Sequence, residues 1–204
     1  MTRFLSLPAI VLAGPALAHH PLGGEAPQTV FHGLISGLAH PVIGLDHLAF
    51  VVLVGLAAAL AGRSLAGPFA FIAATLAGTA VHLAGVTLPL AELVITASVV
   101  TLGVLVVAGR QVGGPVALAG FGGAGLFHGW AYGEAVVGST PLPVFAYLLG
   151  FGAIQFAVAA GVALFAGKVA QHGQGAVQAR LAAAVCMGVG VAFLFETVEH
   201  MILG

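Results

Sequence analysis

Long apolar runs, separated by short clusters of glycine, proline and charged residues, dominate the sequence. The runs are about 20 residues or longer, and at about 1.5 Å per residue a helix of that length crosses a hydrocarbon core of about 30 Å. They are rich in glycine and alanine, which suits helices that pack closely in lipid. We therefore predict an all-α integral membrane protein, a six-helix bundle. The predicted spans are 41–62, 66–86, 89–109, 115–137, 142–167 and 178–201.

Composition agrees with this class. The 204 residues are 60% hydrophobic and 5% charged, whereas about a quarter of the residues in soluble domains are charged. The mean hydropathy is +1.16. A net charge of −1 gives no reason to expect nucleic acid as a partner. The lipid bilayer is the first partner implied, no nucleotide-binding loop is left over, and homo-oligomerisation stays open.

Residues 1–18 have the pattern of an export signal. Arg3 provides a positive start, an apolar core follows, and Ala-Leu-Ala at 16–18 is a small-x-small cleavage pattern. We predict a cleaved signal peptide over 1–18 and a mature membrane domain over 19–204. The alternative is an uncleaved seventh helix, for which the prolines of this stretch are unfavourable.

Charge is polarised along the predicted bundle. The loops after the first, third and fifth spans carry Arg63, Arg110, Lys168 and Arg180, and by the positive-inside rule these loops are cytoplasmic. The mature termini are then outside, in the periplasm of a bacterial-type inner membrane. All the acids fall in or beyond the outer half, which predicts a negative vestibule that concentrates cations. They are Glu25, Asp46, Glu92, Glu134, Glu196 and Glu199.

The segment His40-Pro41-Val42-Ile43-Gly44-Leu45-Asp46-His47 places two imidazoles and a carboxylate at the start of the first span. Ionisable groups in a spanning segment cost a few kcal/mol and are by default a hypothesis about function. We expect Pro41 to open the helix, with His40 at its mouth. His47 then lies on nearly the same face, with Asp46 about 100° around the axis. Residues 28–39 are predicted to form a short interfacial helix, or a kinked extension of this span.

A second group of polar residues lies on the fourth span, where His128 and Glu134 are candidate metal ligands. A glycine stripe beside them predicts close approach of another helix. The stripe comprises Gly125, Gly129 and Gly133. Trp130 and Tyr132 are expected to pack or to anchor the span at the interface.

Seven further residues are candidates for the metal site or its vestibule, each with an open structural alternative such as a flexible tail, a helix start or a wetted helix end. They are His19, His20, His82, Glu92, Glu196, Glu199 and His200. We expect spans one, four and six, with His82 from span two, to surround the pathway. Imidazole and carboxylate suit nickel, cobalt or zinc. The single cysteine, Cys186, argues against a copper(I) path.

The two motifs together resemble the HupE/UreJ family of nickel or cobalt permeases. The resemblance rests on His40-Pro41-x-x-Gly44-x-Asp46-His47 and on Phe127-His128-Gly129-x-Ala131-x-Gly133, and it covers essentially the whole mature chain. It implies secondary uptake of Ni²⁺ or Co²⁺ as cargo, no prosthetic group and no enzyme activity, with His40, Asp46 and His47 associated with transport. Zinc is the less favoured cargo. The chain departs from many members at Phe50, Tyr132 and Glu134.

The same residues allow two classes of function other than a permease. In an intramembrane zinc hydrolase, His40, His47 and His128 would hold Zn²⁺, and Asp46 or Glu134 would be the general base. No HExxH pair is present to support it. A metal sensor or assembly subunit is the third class, against which the scarcity of extramembrane sequence argues.

Overall fold

The computed structural model describes residues 25–62, 64–170 and 174–203, and within these ranges the regular structure is all helical. The predicted signal peptide, His19 and His20 lie outside the described residues. The helices are α1 (Val30–Ile43), α2 (Leu45–Leu60), α3 (Ala66–Leu83), α4 (Ala91–Val107), α5 (Gly114–Gly133), α6 (Pro141–Val169) and α7 (Gly175–Leu203). A 3₁₀ turn, Glu134–Val136, follows α5.

Three of the described helices, α3, α6 and α7, are long and apolar enough to cross a membrane, and the bent pair of α1 and α2 counts as a fourth. Helix α4 has 17 residues, about 26 Å at 1.5 Å per residue, slightly short of a hydrocarbon core. Helix α5 has 20 residues, but many of them are glycines or carry polar aromatic side chains, which make the helix less hydrophobic. The described structure therefore contains three to four candidate spans, and these helices occupy the segments predicted from the sequence.

The break in the first predicted span lies at Gly44, where α1 and α2 meet at a bend of 79°. Pro41 lies inside α1, so the predictions that the helix begins at Pro41 and that His40 precedes it are wrong. Proline removes only one helical hydrogen bond, and the helix ends two residues later in any case. Helix α1 packs along α6, so the alternative of a kinked extension describes residues 28–39 better than an interfacial helix does.

Helix α2 lies at the centre of the bundle and packs against α1, α3, α4, α6 and α7. Eleven of its 16 residues are buried, and Leu53, Val54 and Ala57 are fully so. A helix that is apolar all round suits such a central position. The polar residues of α2 are therefore confined to its first turn, beside the break at Gly44.

Helices α3 and α5 pack closely in a parallel register. In order along both helices, Gly125 faces Phe71, Gly129 faces Thr75, and Gly133 faces His82. A Cβ on Gly129 would collide with the Thr75 backbone, so only glycine permits this approach. The close approach predicted from the glycine stripe is confirmed, and α3 is the partner helix.

Two other pairs show their direction in the same way. Helices α1 and α6 run parallel, while α4 and α7 run antiparallel. The facing residues are Gly33 with Pro143 and Gly37 with Tyr147 in the first pair, and Val99 with Gly190 and Gly103 with Met187 in the second. Each pair therefore has a defined relative orientation.

The described basic residues gather at one end of the bundle. The α2–α3 and α4–α5 loops line a common small cavity there, and the Arg180 guanidinium lies against Gly109 at the end of α4. Lys168 lies in the last turn of α6, six positions before Gln174, where the described part of the chain resumes. Arg110, Lys168 and Arg180 are all exposed at this end.

Candidate metal site

A group of buried polar side chains, called here the histidine cluster, lies where the break between α1 and α2 packs against α5 and α6. It comprises His40, Asp46, His47, His128, Tyr132 and Tyr147, which are joined by hydrogen bonds, ring contacts and, for Asp46, an electrostatic interaction with Tyr132. None of these side chains is more than 6% exposed. Buried polar groups of this kind need partners, so their hydrogen bonds indicate how each side chain is oriented.

Tyr147 determines the tautomer of His40. The Tyr147 hydroxyl donates its proton to the Tyr132 carbonyl oxygen at 3.1 Å and lies 2.8 Å from His40 Nδ1. Because that proton is already used, we assign the Nδ1–H of His40 as donor to the Tyr147 oxygen. In the neutral imidazole the lone pair is then on Nε2, the atom that can bind a metal ion.

The same reasoning fixes His128 and His47. Ser98 Oγ donates to the Ile95 carbonyl at 2.6 Å, so it accepts from His128 Nε2–H at 3.0 Å. Neutral His128 then carries its lone pair on Nδ1, which accepts from His47 Nδ1–H at 2.9 Å. His47 is therefore assigned Nδ1 as its donor atom toward His128.

The Tyr132 ring packs against the imidazoles of both His40 and His47. Its ring centroid lies 4.9 Å from that of His40 and 4.3 Å from that of His47. Among the described residues, neither Tyr132 Oη nor Asp46 Oδ1 has a hydrogen-bond partner, although both atoms are buried. A buried unpartnered acceptor costs about 1–3 kcal/mol, so these oxygens favour a polar ligand or cation.

Phenylalanines line the apolar side of the cluster. Phe50 and Phe71 lie 4.5 and 5.7 Å from the His128 ring between centroids, and Phe151 lies 4.5 Å from Tyr132. Such walls exclude water and lower the local dielectric constant, which strengthens the attraction between Asp46 and a cation.

The donor set fits a borderline divalent transition metal, since imidazole nitrogens and carboxylate oxygen are its ordinary ligands. Within the described ranges, no three His, Cys, Asp or Glu side chains are arranged so that they could hold an ion together. The structure thus places His40, Asp46, His47 and His128 in one buried cluster without gathering them into a coordination sphere.

The remaining candidates from the sequence lie elsewhere. Glu134 is exposed in the 3₁₀ turn after α5. His82 is half-buried on α3 and lies 4.5 Å from the Trp130 ring between centroids, and Trp130 donates to the Val86 carbonyl at 2.7 Å. Glu92, Glu196, Glu199 and His200 are also exposed. The structure therefore does not bring the α7 candidates into the histidine cluster.

Sequence reasoning missed Ser98 and Tyr147 and assigned Tyr132 only to packing or anchoring. The signal was available, because each is a polar side chain inside a long apolar run. Hydroxyl and amide side chains in a spanning segment need hydrogen-bond partners for the same reason that ionisable groups do. Applied to them as well, the criterion points to the groups that orient the histidines.

Replacing Tyr147 by phenylalanine tests its role in orienting His40. We expect Tyr147→Phe to raise the KM for metal uptake about tenfold, since losing a group that orients a ligand typically costs 10- to 100-fold in metal affinity. Uptake kinetics in proteoliposomes measure this. Phe145→Leu, on the exposed face of the same helix, should keep the parental KM. An unchanged KM in Tyr147→Phe would contradict the role.

Apolar helices that enclose buried imidazole, carboxylate and phenol groups define a membrane-embedded helical protein with an interior polar site. The chain belongs to the HupE/UreJ family: the sequence profile described as HupE / UreJ protein matches residues 7–193. The resemblance carried by the two histidine motifs is thereby confirmed.

A relative in this family is Protein HupE of Rhizobium leguminosarum bv. viciae, which is 36% identical over 124 residues. The match covers 60% of this chain and 62% of the relative, so it spans less than two thirds of the relative's length. No solved structure matches the sequence. Nothing in these comparisons supports the zinc hydrolase alternative.

Proposed function

We propose that the protein is a secondary carrier that takes up Ni²⁺ or Co²⁺ across the cytoplasmic membrane, with the histidine cluster as its binding site. The observation that carries the proposal is the burial of His40, Asp46, His47 and His128 together inside the apolar bundle. His40 is hydrogen-bonded to Tyr147 and His47 to His128, and Asp46 Oδ1 has no hydrogen-bond partner among the described residues. Family membership supports the same class of function.

We infer six spans, with α1 and α2 as one broken span and α3 to α7 as the other five. The helix directions support this, because alternating spans make the second parallel to the fourth, the first parallel to the fifth, and the third antiparallel to the sixth. These are the directions of the pairs α3 and α5, α1 and α6, and α4 and α7. The basic end of the bundle is then cytoplasmic. The vestibule, the start of α1 and the end of α7 are periplasmic.

Carrier behaviour follows from the burial of the site. Each charged or imidazole group of the cluster is at most 6% exposed, so the described conformation has no open aqueous route through it. The Tyr132 ring packs against both His40 and His47. We infer that loading and release require rearrangement of the helices, with movement of the Tyr132 ring so that the two imidazoles share an ion.

The packing also supports a rearrangement of two halves. If the bundle consists of two repeats, α1 to α4 form the first and α5 to α7 the second. The packed pair α1 and α6 then corresponds to the packed pair α5 and α3, and the pair α4 and α7 corresponds to itself. This is the relation expected of inverted repeats, which commonly hold their substrate at the repeat interface. The His47 to His128 hydrogen bond crosses that interface.

Energy for uptake can come from the membrane potential. A divalent cation that moves inward gains about 4.6 kcal/mol at 100 mV, twice the value for a single charge. Imidazole and carboxylate ligands replace part of the ion's hydration shell, which lowers the cost of entering the low-dielectric interior. No ATP-binding element is needed for such a cycle.

Uptake by the purified protein tests the proposal. We expect proteoliposomes to accumulate radiolabelled nickel or cobalt, faster with an inside-negative potential. Unlabelled Ni²⁺ and Co²⁺ should compete better than Zn²⁺, and Mg²⁺ should not compete, because it prefers oxygen ligands. Protein-free liposomes provide the background. If all of these metals enter at the background rate, the proposed function is wrong.

A further inference from the structure

Gln155 is a fully buried amide near the middle of α6. Helix α6 is one of the helices that are long and apolar enough to cross a membrane, so this amide lies near the centre of a candidate span. A polar group at that depth is expensive unless it has partners, because lipid offers no hydrogen bonds. Gln155 is not a member of the histidine cluster.

Its neighbours fix the orientation of the amide. Gln155 Nε2 donates to Thr75 Oγ1 and to the Phe151 carbonyl, each at 3.3 Å. The hydroxyl proton of Thr75 is already donated to the Ile72 carbonyl at 2.8 Å. Both groups at that end of the amide therefore accept hydrogen bonds, and only the NH₂ end of Gln155 can face them.

The hydrogen bonds that hold the nitrogen of this amide do not account for its oxygen. Gln155 Oε1 is buried and has no hydrogen-bond partner among the described residues. Anchoring to α3 explains the nitrogen, because amide and hydroxyl side chains commonly join membrane helices. It leaves a bare acceptor in the interior, which is the kind of group that a water molecule or a cation satisfies.

Gln155 adjoins the histidine cluster on two sides. On α6, the residues Tyr147, Phe151 and Gln155 recur every fourth position and share one face. The Phe151 ring is stacked with that of Tyr147, 5.6 Å away between centroids. On the other side, the Gln155 partner Thr75 packs against Gly129, the residue after His128.

We propose that the Gln155 amide oxygen is a second contact point for the transported cation, reached after the histidine cluster and satisfied by the ion or its remaining water. This inference rests on the proposed uptake function. A neutral oxygen holds Ni²⁺ or Co²⁺ more weakly than imidazole does, and conduction needs sites from which the ion can leave. Gln155 therefore acts in transfer and release of the ion, while the histidine cluster captures it.

The experiment compares Gln155→Leu and Thr75→Val with the parent in nickel uptake by proteoliposomes, in equilibrium binding of Ni²⁺ to the purified protein, and in thermal stability. Gln178→Leu, exposed on α7, is the matched control. We expect Gln155→Leu to slow uptake about tenfold while its Kd for Ni²⁺ stays within about threefold of the parent, since the lost contact is made after capture. Thr75→Val keeps Oε1 and should lose less uptake, and Gln178→Leu should match the parent.

Parental uptake by Gln155→Leu would overturn the proposal. So would an uptake loss that equals that of Thr75→Val, or one that follows a loss of thermal stability, because each assigns Gln155 to helix anchoring alone. A parent protein that transports no nickel or cobalt overturns the uptake function itself. That failure is recognised from the parent protein alone and is thereby distinct from a failure at Gln155.

Discussion

Asp46→Asn is expected to lower nickel or cobalt uptake at least about hundredfold, a loss of about 2.7 kcal/mol at 1.36 kcal/mol per tenfold change. The substitution keeps the shape of the side chain and removes its charge. Asp46 is 3% exposed and its Oδ1 has no partner among the described residues. Attraction between unit charges 4 Å apart is about 4 kcal/mol at an effective dielectric constant of 20 and is larger for a divalent ion, so a hundredfold loss is a conservative expectation.

Initial rates of uptake and equilibrium binding of Ni²⁺ should fall together in Asp46→Asn, because the charge acts on the bound ion. Glu25→Gln is the matched control, since Glu25 is exposed and precedes the first helix. It removes the same charge from the chain at an exposed position, where solvent and salt screen it, so uptake should stay within about threefold of the parent. Parental binding by well-folded Asp46→Asn protein would show that the carboxylate is no part of the binding site.

Much of the helical framework follows from the sequence because apolar length and helix breakers are local properties. The segments of α3 to α7 were predicted with ends shifted by a few residues, and the glycine stripe of α5 predicted close packing. The break in the first span was misplaced. Pro41 is a local signal for a helix start, but packing of α1 along α6 holds the helix through it to Ile43, and Gly44 then takes the bend.

The members of the site were harder to predict than the helices. Periodicity identifies the helix on which His40, His47 and His128 lie, but the hydrogen bond between His47 and His128 joins residues 81 positions apart. Tyr147 is 107 positions from His40. Such partners depend on which helices meet and in which direction. One sequence does not contain that information, which is why the orienting hydroxyl groups were found only in the structure.

Gly129→Ala is expected to destabilise the protein by about 3 kcal/mol, at the upper end of the usual cost of overpacking a core. The added Cβ would collide with the Thr75 backbone, which cannot move aside as a flexible side chain could. Helices α3 and α5 would separate, and the hydrogen bond from Thr79 Oγ1 to the Gly129 carbonyl, 2.8 Å long, would be lost or weakened. Thermal unfolding in detergent measures the effect.

Gly123→Ala on the same helix is the control, with an effect of opposite sign. No neighbouring atom lies within 4 Å of the Cβ that it would add, and alanine favours a helix over glycine by about 1 kcal/mol. Gly123→Ala should therefore unfold at the parental temperature or above it, while Gly129→Ala unfolds below it. Equal midpoints for the two variants would refute close packing of α3 on α5.

The same variant connects packing to transport. Gly129 is the residue after His128, so a shift of α5 away from α3 also moves the imidazole that accepts from His47 at 2.9 Å. Hydrogen bonds weaken steeply with distorted geometry, and His47 would lose the partner that sets its tautomer. Gly129→Ala should therefore take up metal more slowly than the parent even below its unfolding temperature, whereas Gly123→Ala should not. The absence of a side chain at Gly129 is thus a condition for the position of the metal ligands.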